Sequence, residues 1–243
     1  MTATNVASIV SFHLVRYPRR RAARYMAFDR PVLRATAGLG FWRLLGTGRG
    51  ASAAPGADPR RWALLAVWRD EADLDAFLDA SPIARRWRRE ADEAWHGRFA
   101  PLSARGTWGG VDPFAGASGA GTAAGPLAVL TRAAIRPSRL AEFHRAVPAV
   151  DRALAAADGR LASVGVGEWP LVRQATFSLW RDAAAVTAFA HRGEAHRRVI
   201  GAVRERGWYG EELFARLAPL GSAGAWDGAD PLAGSGLSHP RPR

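Results

Sequence analysis

Part of this chain occurs twice, and the repeat limits the folds that are open to it. The run Leu64-Leu65-Ala66-Val67-Trp68 has a partner 112 residues later in Thr176-Phe177-Ser178-Leu179-Trp180. Each copy reads as an apolar strand that leads into a tract of helical periodicity. One difference is chemical, because His196 in the second tract corresponds to Ala84 in the first.

The hydrophobic pattern predicts the order β-α-β-β-α-β in each half, which is a ferredoxin-like or split βαβ unit. In the first half we expect strands at 6–15, 41–45, 62–68 and up to 102, and helices at 19–37, 71–78 and 82–96. In the second half we expect strands at 127–135, 161–166, 171–180 and 213–217, and helices at 137–157 and 182–206.

The expected fold class is α+β, with two tandem ferredoxin-like repeats packed sheet to sheet as an intrachain dimeric α+β barrel. The first repeat covers residues 6–114, and a Gly/Ala linker covers 115–125. The second repeat, which carries the candidate site, covers 126–230, and the tail 231–243 is predicted to be disordered.

Two residue types are missing from the 243-residue sequence, and each absence excludes a class of chemistry. The chain has no cysteine, which excludes thiolate-ligated haem, iron–sulfur clusters, cysteine zinc sites and cysteine nucleophiles. It also has no lysine, so all 34 basic residues are arginine. Schiff-base chemistry and a Walker-type phosphate lysine are therefore excluded.

The net charge of +12 would suit an acidic partner or an anionic surface. No nucleic-acid-binding motif accompanies it, so we expect no nucleic-acid partner. No apolar run approaches the roughly 20 residues of a membrane span. We therefore expect a cytoplasmic monomer or homodimer, peripheral to a membrane at most.

Several motifs are specific enough to indicate a family. The second half carries Gly165-Val166-Gly167-Glu168-Trp169-Pro170, the run from Gln174 to Trp180, and Glu211-Glu212-Leu213-Phe214-Ala215-Arg216. The first half carries Gly38-Leu39-Gly40-Phe41 and Gly106-Thr107-Trp108-Gly109-Gly110. With these motifs the chain resembles the spheroidene monooxygenase family of carotenoid oxygenases, which are haem proteins.

The resemblance implies haem b as cofactor and O2 as cosubstrate. In a chain without cysteine, the iron ligand is sought among His, Tyr and Met. His196 is the candidate axial ligand, and Ile200 shares its helix face one turn later. His191 and His144 are competing candidates, and a satisfied core histidine at position 196 is the structural alternative.

Arginines are the candidates for binding the haem propionates, because the guanidinium group pairs readily with carboxylates. Arg132 and Arg204 are the two that we assign to the cofactor. Phe177 is expected to face the helices and contact the haem. Arg173 and Gln174, near the start of the same strand, are the candidate catalytic residues.

The first functional hypothesis is a haem-dependent oxygenase acting on an apolar small molecule, carotenoid-like or another secondary metabolite. The sequence shows no flavin or nicotinamide fingerprint, so electrons must come from a separate donor such as an acidic ferredoxin. Two alternatives stay open: a haem enzyme of peroxidase-like or redox-neutral dehydratase type, and a non-catalytic ligand-binding barrel.

Overall fold

Eight strands form one closed barrel that carries helices on its outside. The computed structural model describes residues 8–18, 24–48, 56–115, 125–169, 173–192 and 207–235. The first half contains β1 (Ile9–Arg16), α1 (Tyr25–Arg34), β2 (Leu39–Gly48), β3 (Ala57–Trp68), α2 (Glu71–Ala80), α3 (Pro82–Glu90) and β4 (Glu93–Gly106). The second half contains β5 (Leu127–Ile135), α4 (Leu140–Ala155), β6 (Arg160–Trp169), β7 (Arg173–Trp180), α5 (Ala183–Arg192) and β8 (Tyr209–Gly224).

The strands follow each other around the barrel in the order β1-β3-β2-β6-β7-β5-β8-β4. The two halves join through antiparallel pairing of β4 with β8 along most of their length and of β2 with β6 over two residue pairs. The expected α+β class and closed barrel are therefore present. The described elements of both halves follow the order β-α-β-β-α-β, and the first half has a second helix, α3, before its last strand. Their description as repeats of one unit stays a prediction.

Aromatic side chains fill the barrel interior. The rings of Phe12 and Phe177 stack with their centroids 3.9 Å apart, and Phe99 packs edge-on against Phe177 at 5.5 Å. All three side chains are fully buried. The interior is thus a packed core of the kind found in small barrels, which leaves the outer faces of the sheet as the place for a ligand.

In the first half, the helices close tightly over the sheet. Asp70 caps α2 by accepting a hydrogen bond from the Asp73 amide at 2.9 Å, and Ser81 caps α3, whose first residue is Pro82. The buried side chains form one continuous cluster between helices and strands, which includes Leu74, Phe77, Leu78, Ile83 and Trp87.

In the second half, the corresponding space is divided. One cluster contains Leu154, Trp180 and Val186, and a separate cluster contains Phe143 and Val147. A cavity lies between them. Among the helices that the structure describes, none is both long enough and apolar enough to cross a membrane.

Two sequence-based expectations about boundaries are wrong. Helix α3 ends at Glu90, and β4 begins at Glu93, so His96 lies within a strand and not at a helix end. Leu232 falls in the tail predicted to be disordered, yet it is 2% exposed and packs into the barrel core. Burial of this side chain extends the ordered part of the chain past residue 230.

Candidate functional site

The outer face of β5, β7 and β8 forms the floor of the candidate site. Alternation along β7 turns Gln174, Thr176 and Ser178 toward the helices, while Phe177 and Leu179 face the barrel interior. The expected orientation of this strand is therefore reversed. Phe177 belongs to the barrel core and does not line the site.

The helix–sheet cavity lies between this floor and helices α4 and α5, and its volume is about 220 Å³. Most of its wall is apolar. From α4 come Phe143, Val147 and Leu154, and from α5 come Val186 and Phe189. Such a lining favours a predominantly apolar ligand.

A few polar groups interrupt the apolar wall. The Gln174 Oε1 atom is buried and has no hydrogen-bond partner among the residues that the structure describes. Ser178 Oγ accepts a hydrogen bond from Trp180 Nε1 at 2.9 Å. Burial raises the pKa of Tyr209 to about 12, with a smaller contribution from Glu212. The Tyr209 hydroxyl therefore keeps its proton at neutral pH and is a potential donor.

Arg216 is the cation among the described residues that line the cavity. It lies on β8 opposite Val129 of β5, and its guanidinium carbon is 5.8 Å from the centre of the Phe214 ring. Its Nε atom is buried and makes no hydrogen bond to the described residues. Arg216 was not among the predicted site residues, although it follows Phe214 by two residues on the same face of the strand.

The arginines chosen from the sequence lie elsewhere. Arg132 is 2% exposed in the barrel interior, where it forms an ion pair with Glu211 and packs near the Trp108 ring. Burial raises the pKa of Glu211, but hydrogen bonds from Gly110, Arg132 and Thr107 outweigh it and bring the pKa to about 2. Arg132 is thus committed to a structural ion pair and does not reach the cavity.

The remaining site residues fall into two groups. Arg173 is exposed at the start of β7, whereas its neighbour Gln174 lines the cavity. His196, Ile200 and Arg204 lie outside the described residues. The described residues Ala190 and Tyr209, on either side of that segment, both line the cavity.

A buried histidine pair occupies the helix–sheet space of the first half. His13 Nδ1 and His96 Nδ1 are 2.9 Å apart, and His13 Nε2 is 2.9 Å from Ser11 Oγ. The Trp87 ring stacks on His96 at 5.5 Å. Burial is the main cause that lowers the pKa of His13 well below 6.5 and the pKa of His96 to about 4, and the positive charge of Arg98 contributes to both shifts. Both rings are therefore neutral at pH 7, and their positions correspond in register to Thr131 and Phe214, which line the cavity of the second half.

Within the described ranges, no group of three or more His, Asp or Glu side chains is placed to hold a metal ion.

No protein-family model matches the chain. Spheroidene monooxygenase of Rhodobacter capsulatus is 40% identical over 200 residues, which cover 82% of this chain and 83% of the relative. Spheroidene monooxygenase of Rubrivivax gelatinosus is 40% identical over 213 residues, which cover 85% and 81%. Among solved structures, aldoxime dehydratase matches with a TM-score of 0.59 at 11% identity and covers 90% of this chain and 83% of its own. That likeness concerns the barrel fold alone.

Proposed function

The chain belongs to the spheroidene monooxygenase family, and we propose that it is an oxygenase that binds haem b in the helix–sheet cavity. The relatives support an oxygenase, an oxidoreductase that uses O2. The proposed location of haem depends on one observation, the apolar cavity between α4, α5 and the outer face of β5, β7 and β8. Haem, substrate and electron donor are parts of the proposal.

The side chains around the cavity fit a haem group. A porphyrin is a flat apolar ring with two carboxylates, and the described lining of the cavity offers apolar side chains from the helices and the sheet together with one cation, Arg216. The same space in the first half is closed by the buried His13–His96 pair and by Trp87. When bound, haem supplies an iron centre that activates O2.

We propose that His196 would hold the haem iron. Its first-half counterpart, 112 residues earlier, is Ala84, which is 2% exposed in the cluster between helices and sheet. An imidazole that holds haem iron would need such a buried position facing the sheet. The proposal is further supported by Ala190 and Tyr209, which flank the segment carrying His196 and line the cavity.

The chain's own residues would bind and orient the substrate and control protons. The apolar wall removes an apolar substrate from water, at roughly 25 cal/mol per Å² of buried surface. The Gln174 amide oxygen can accept a hydrogen bond inside the cavity, and the Tyr209 hydroxyl can donate one, since its pKa of about 12 keeps it protonated. These two groups fix the orientation of a polar atom within an otherwise apolar space.

The reaction requires an external reductant. Insertion of one atom of O2 into a substrate, with reduction of the other to water, consumes two electrons and two protons. The net charge of +12 favours association with an acidic electron donor such as a ferredoxin. The proposed substrate is an apolar small molecule of carotenoid-like or similar character.

The test is an absorption spectrum of the chain with one equivalent of haem, compared among wild type, His196→Ala and His191→Ala. We expect a Soret band in wild type and His191→Ala, and a band shifted to that of weakly ligated haem in His196→Ala. Turnover that depends on both O2 and reductant would support the oxygenase. Turnover without reductant would favour a peroxidase-like or dehydratase reaction, and no Soret band in wild type would leave a non-catalytic barrel.

A further inference from the structure

Arg216 has a structural counterpart in the first half, and the two arginines differ in what neutralises them. Arg98 pairs with Ser11 across β4 and β1, and Arg216 pairs with Val129 across β8 and β5. Each arginine lies on the last strand of its half and pairs with the third residue of the first strand of that half, β1 or β5. Arg98 contacts α2, the helix that follows the third strand of its half, and Arg216 lines the cavity to which the corresponding helix, α5, contributes.

Two carboxylates of α2 neutralise Arg98. Its Nη1 donates to Glu71 at 3.0 Å, and its Nη2 donates to Asp75 at 2.5 Å. The guanidinium group of Arg98 is almost fully buried, so these partners offset the cost of removing a charge from water. Because both carboxylates accept hydrogen bonds from its guanidinium group, Arg98 is not available to bind a ligand.

Helix α5 lacks both carboxylates. Asp182 accepts a hydrogen bond from the Ala185 amide at 2.7 Å, as Asp70 does from the Asp73 amide, so the two helices begin at equivalent positions. The residue at the position of Glu71 is therefore Ala183, and the residue at the position of Asp75 is Thr187.

Arg216 is consequently a half-buried cation with no carboxylate partner among the described residues. Its Nε atom is buried without a hydrogen bond, its guanidinium group lies near the Phe214 ring, and it lines the cavity. A half-buried guanidinium group in an apolar cavity favours an anion that can reach it.

We propose that Arg216 binds the carboxylate of an otherwise apolar ligand in the helix–sheet cavity. If the ligand is haem, the carboxylate is a propionate, and this inference then rests on the proposed function. A long-chain fatty acid carries the same chemistry on an apolar body. The two sources are separated by the experiment.

The experiment compares each acid with its ester, because the ester removes the charge and keeps the apolar body. The full-length chain, prepared without haem, is titrated with iron-free protoporphyrin IX and with its dimethyl ester, and binding is followed by quenching of tryptophan fluorescence. We expect wild type to bind the diacid about tenfold more tightly than the ester, the typical gain from one charge-assisted pair. The second pair of probes is palmitic acid and methyl palmitate.

Two variants and one control test whether Arg216 causes the preference for the acid over the ester. Arg216→Gln should remove the preference for the acid and leave ester binding unchanged. Arg105→Gln is the matched control, because exposed Arg105 also lies over the Phe214 ring, at 5.5 Å, but does not line the cavity. The double variant Ala183→Glu, Thr187→Asp, which gives Arg216 the two carboxylates that Arg98 has, should also remove the preference.

The outcomes separate this inference from the proposed function. A preference for the diacid porphyrin that depends on Arg216 supports both. A preference only for palmitic acid that depends on Arg216 supports the carboxylate site and refutes haem as its source. Equal binding of acid and ester by wild type and Arg216→Gln, in both probe pairs, would overturn the inference even if haem binds.

Discussion

The His13–His96 pair should make the stability of the protein depend on pH between pH 8 and pH 5. Both rings are neutral in the folded state, because burial and nearby arginines depress their pKa values. In the unfolded chain each imidazole has a pKa of about 6.5. The unfolded state therefore binds more protons below pH 6.5, and the contribution to stability is fully present above that pH and lost as pH falls toward the folded pKa.

The size of the effect follows from the pKa of His96. A shift from 6.5 to about 4 corresponds to a loss of about 2 kcal/mol between pH 8 and pH 5. Loss from His13 adds to this figure, because its pKa is lowered as well. Glu211 does not contribute in this window, because its pKa of about 2 keeps it ionised throughout.

The assay is urea unfolding of the haem-free chain at pH 8 and pH 5. With an m-value of about 2 kcal/mol/M, the midpoint should fall by about 1 M at the lower pH. The matched variant is His96→Phe, since the equivalent position on β8 is Phe214. It should remove the part of the difference that comes from His96, about 2 kcal/mol, and leave the part that comes from His13, whose pKa is lowered chiefly by burial.

A midpoint that is unchanged between pH 8 and pH 5 in wild type would refute the description of the pair as neutral and buried. A drop of equal size in wild type and His96→Phe would assign the effect to other groups. Either result would mean that the first-half helix–sheet space is not closed by these two rings in the way described.

Two further predictions concern side chains of the barrel interior. Phe177→Ala should lower the free energy of unfolding by about 3–5 kcal/mol, because it removes the ring stacked on Phe12 and leaves a cavity. Phe177→Leu should lower it by less than half as much, and chemical denaturation measures both. Arg132→Met should destabilise the fold by about 3 kcal/mol, because it leaves Glu211 without its buried partner. The double variant Arg132→Met, Glu211→Gln should recover part of this loss. A double-mutant cycle that shows no coupling between the two positions would contradict the ion pair.

The order of strands and helices was predictable from hydrophobic periodicity, but one boundary was hidden by a coincidence of spacing. Trp87, Ala91 and Trp95 follow one another at intervals of four residues, which is the period of a helix face. In the structure only Trp87 belongs to α3, and Trp95 begins the buried face of β4. Since both tryptophans are buried, composition alone could not separate the two assignments.

The face of β7 could not be predicted from its pattern either. In this barrel a strand is covered on one side by the packed interior and on the other by helices, so both Phe177 and Trp180 are buried. A period of two shows which residues share a face, but not which face is inside. The expectation that Phe177 faces the helices was wrong for this reason.

The site itself was only partly accessible from the sequence. Gln174 was chosen and lines the cavity, whereas Arg132 was chosen and lies in the barrel interior. Arg216 differs from Arg98 because α5 has no carboxylates at the two positions where α2 has them. This difference can be recognised only when the strand pairing register aligns Arg216 with Arg98 and α5 with α2.

Binding of haem in the helix–sheet cavity can be tested by filling the cavity with a larger side chain. Ala146 of α4 lines the cavity, and Ala155 near the end of the same helix is exposed. Titration with haem should give one equivalent bound per chain and a Soret band in wild type and in Ala155→Trp. Ala146→Trp should give no specific band, and the far-ultraviolet circular dichroism should be unchanged in all three proteins. Stoichiometric haem binding by a folded Ala146→Trp variant, with the spectrum of wild type, would mean that haem does not bind in this cavity.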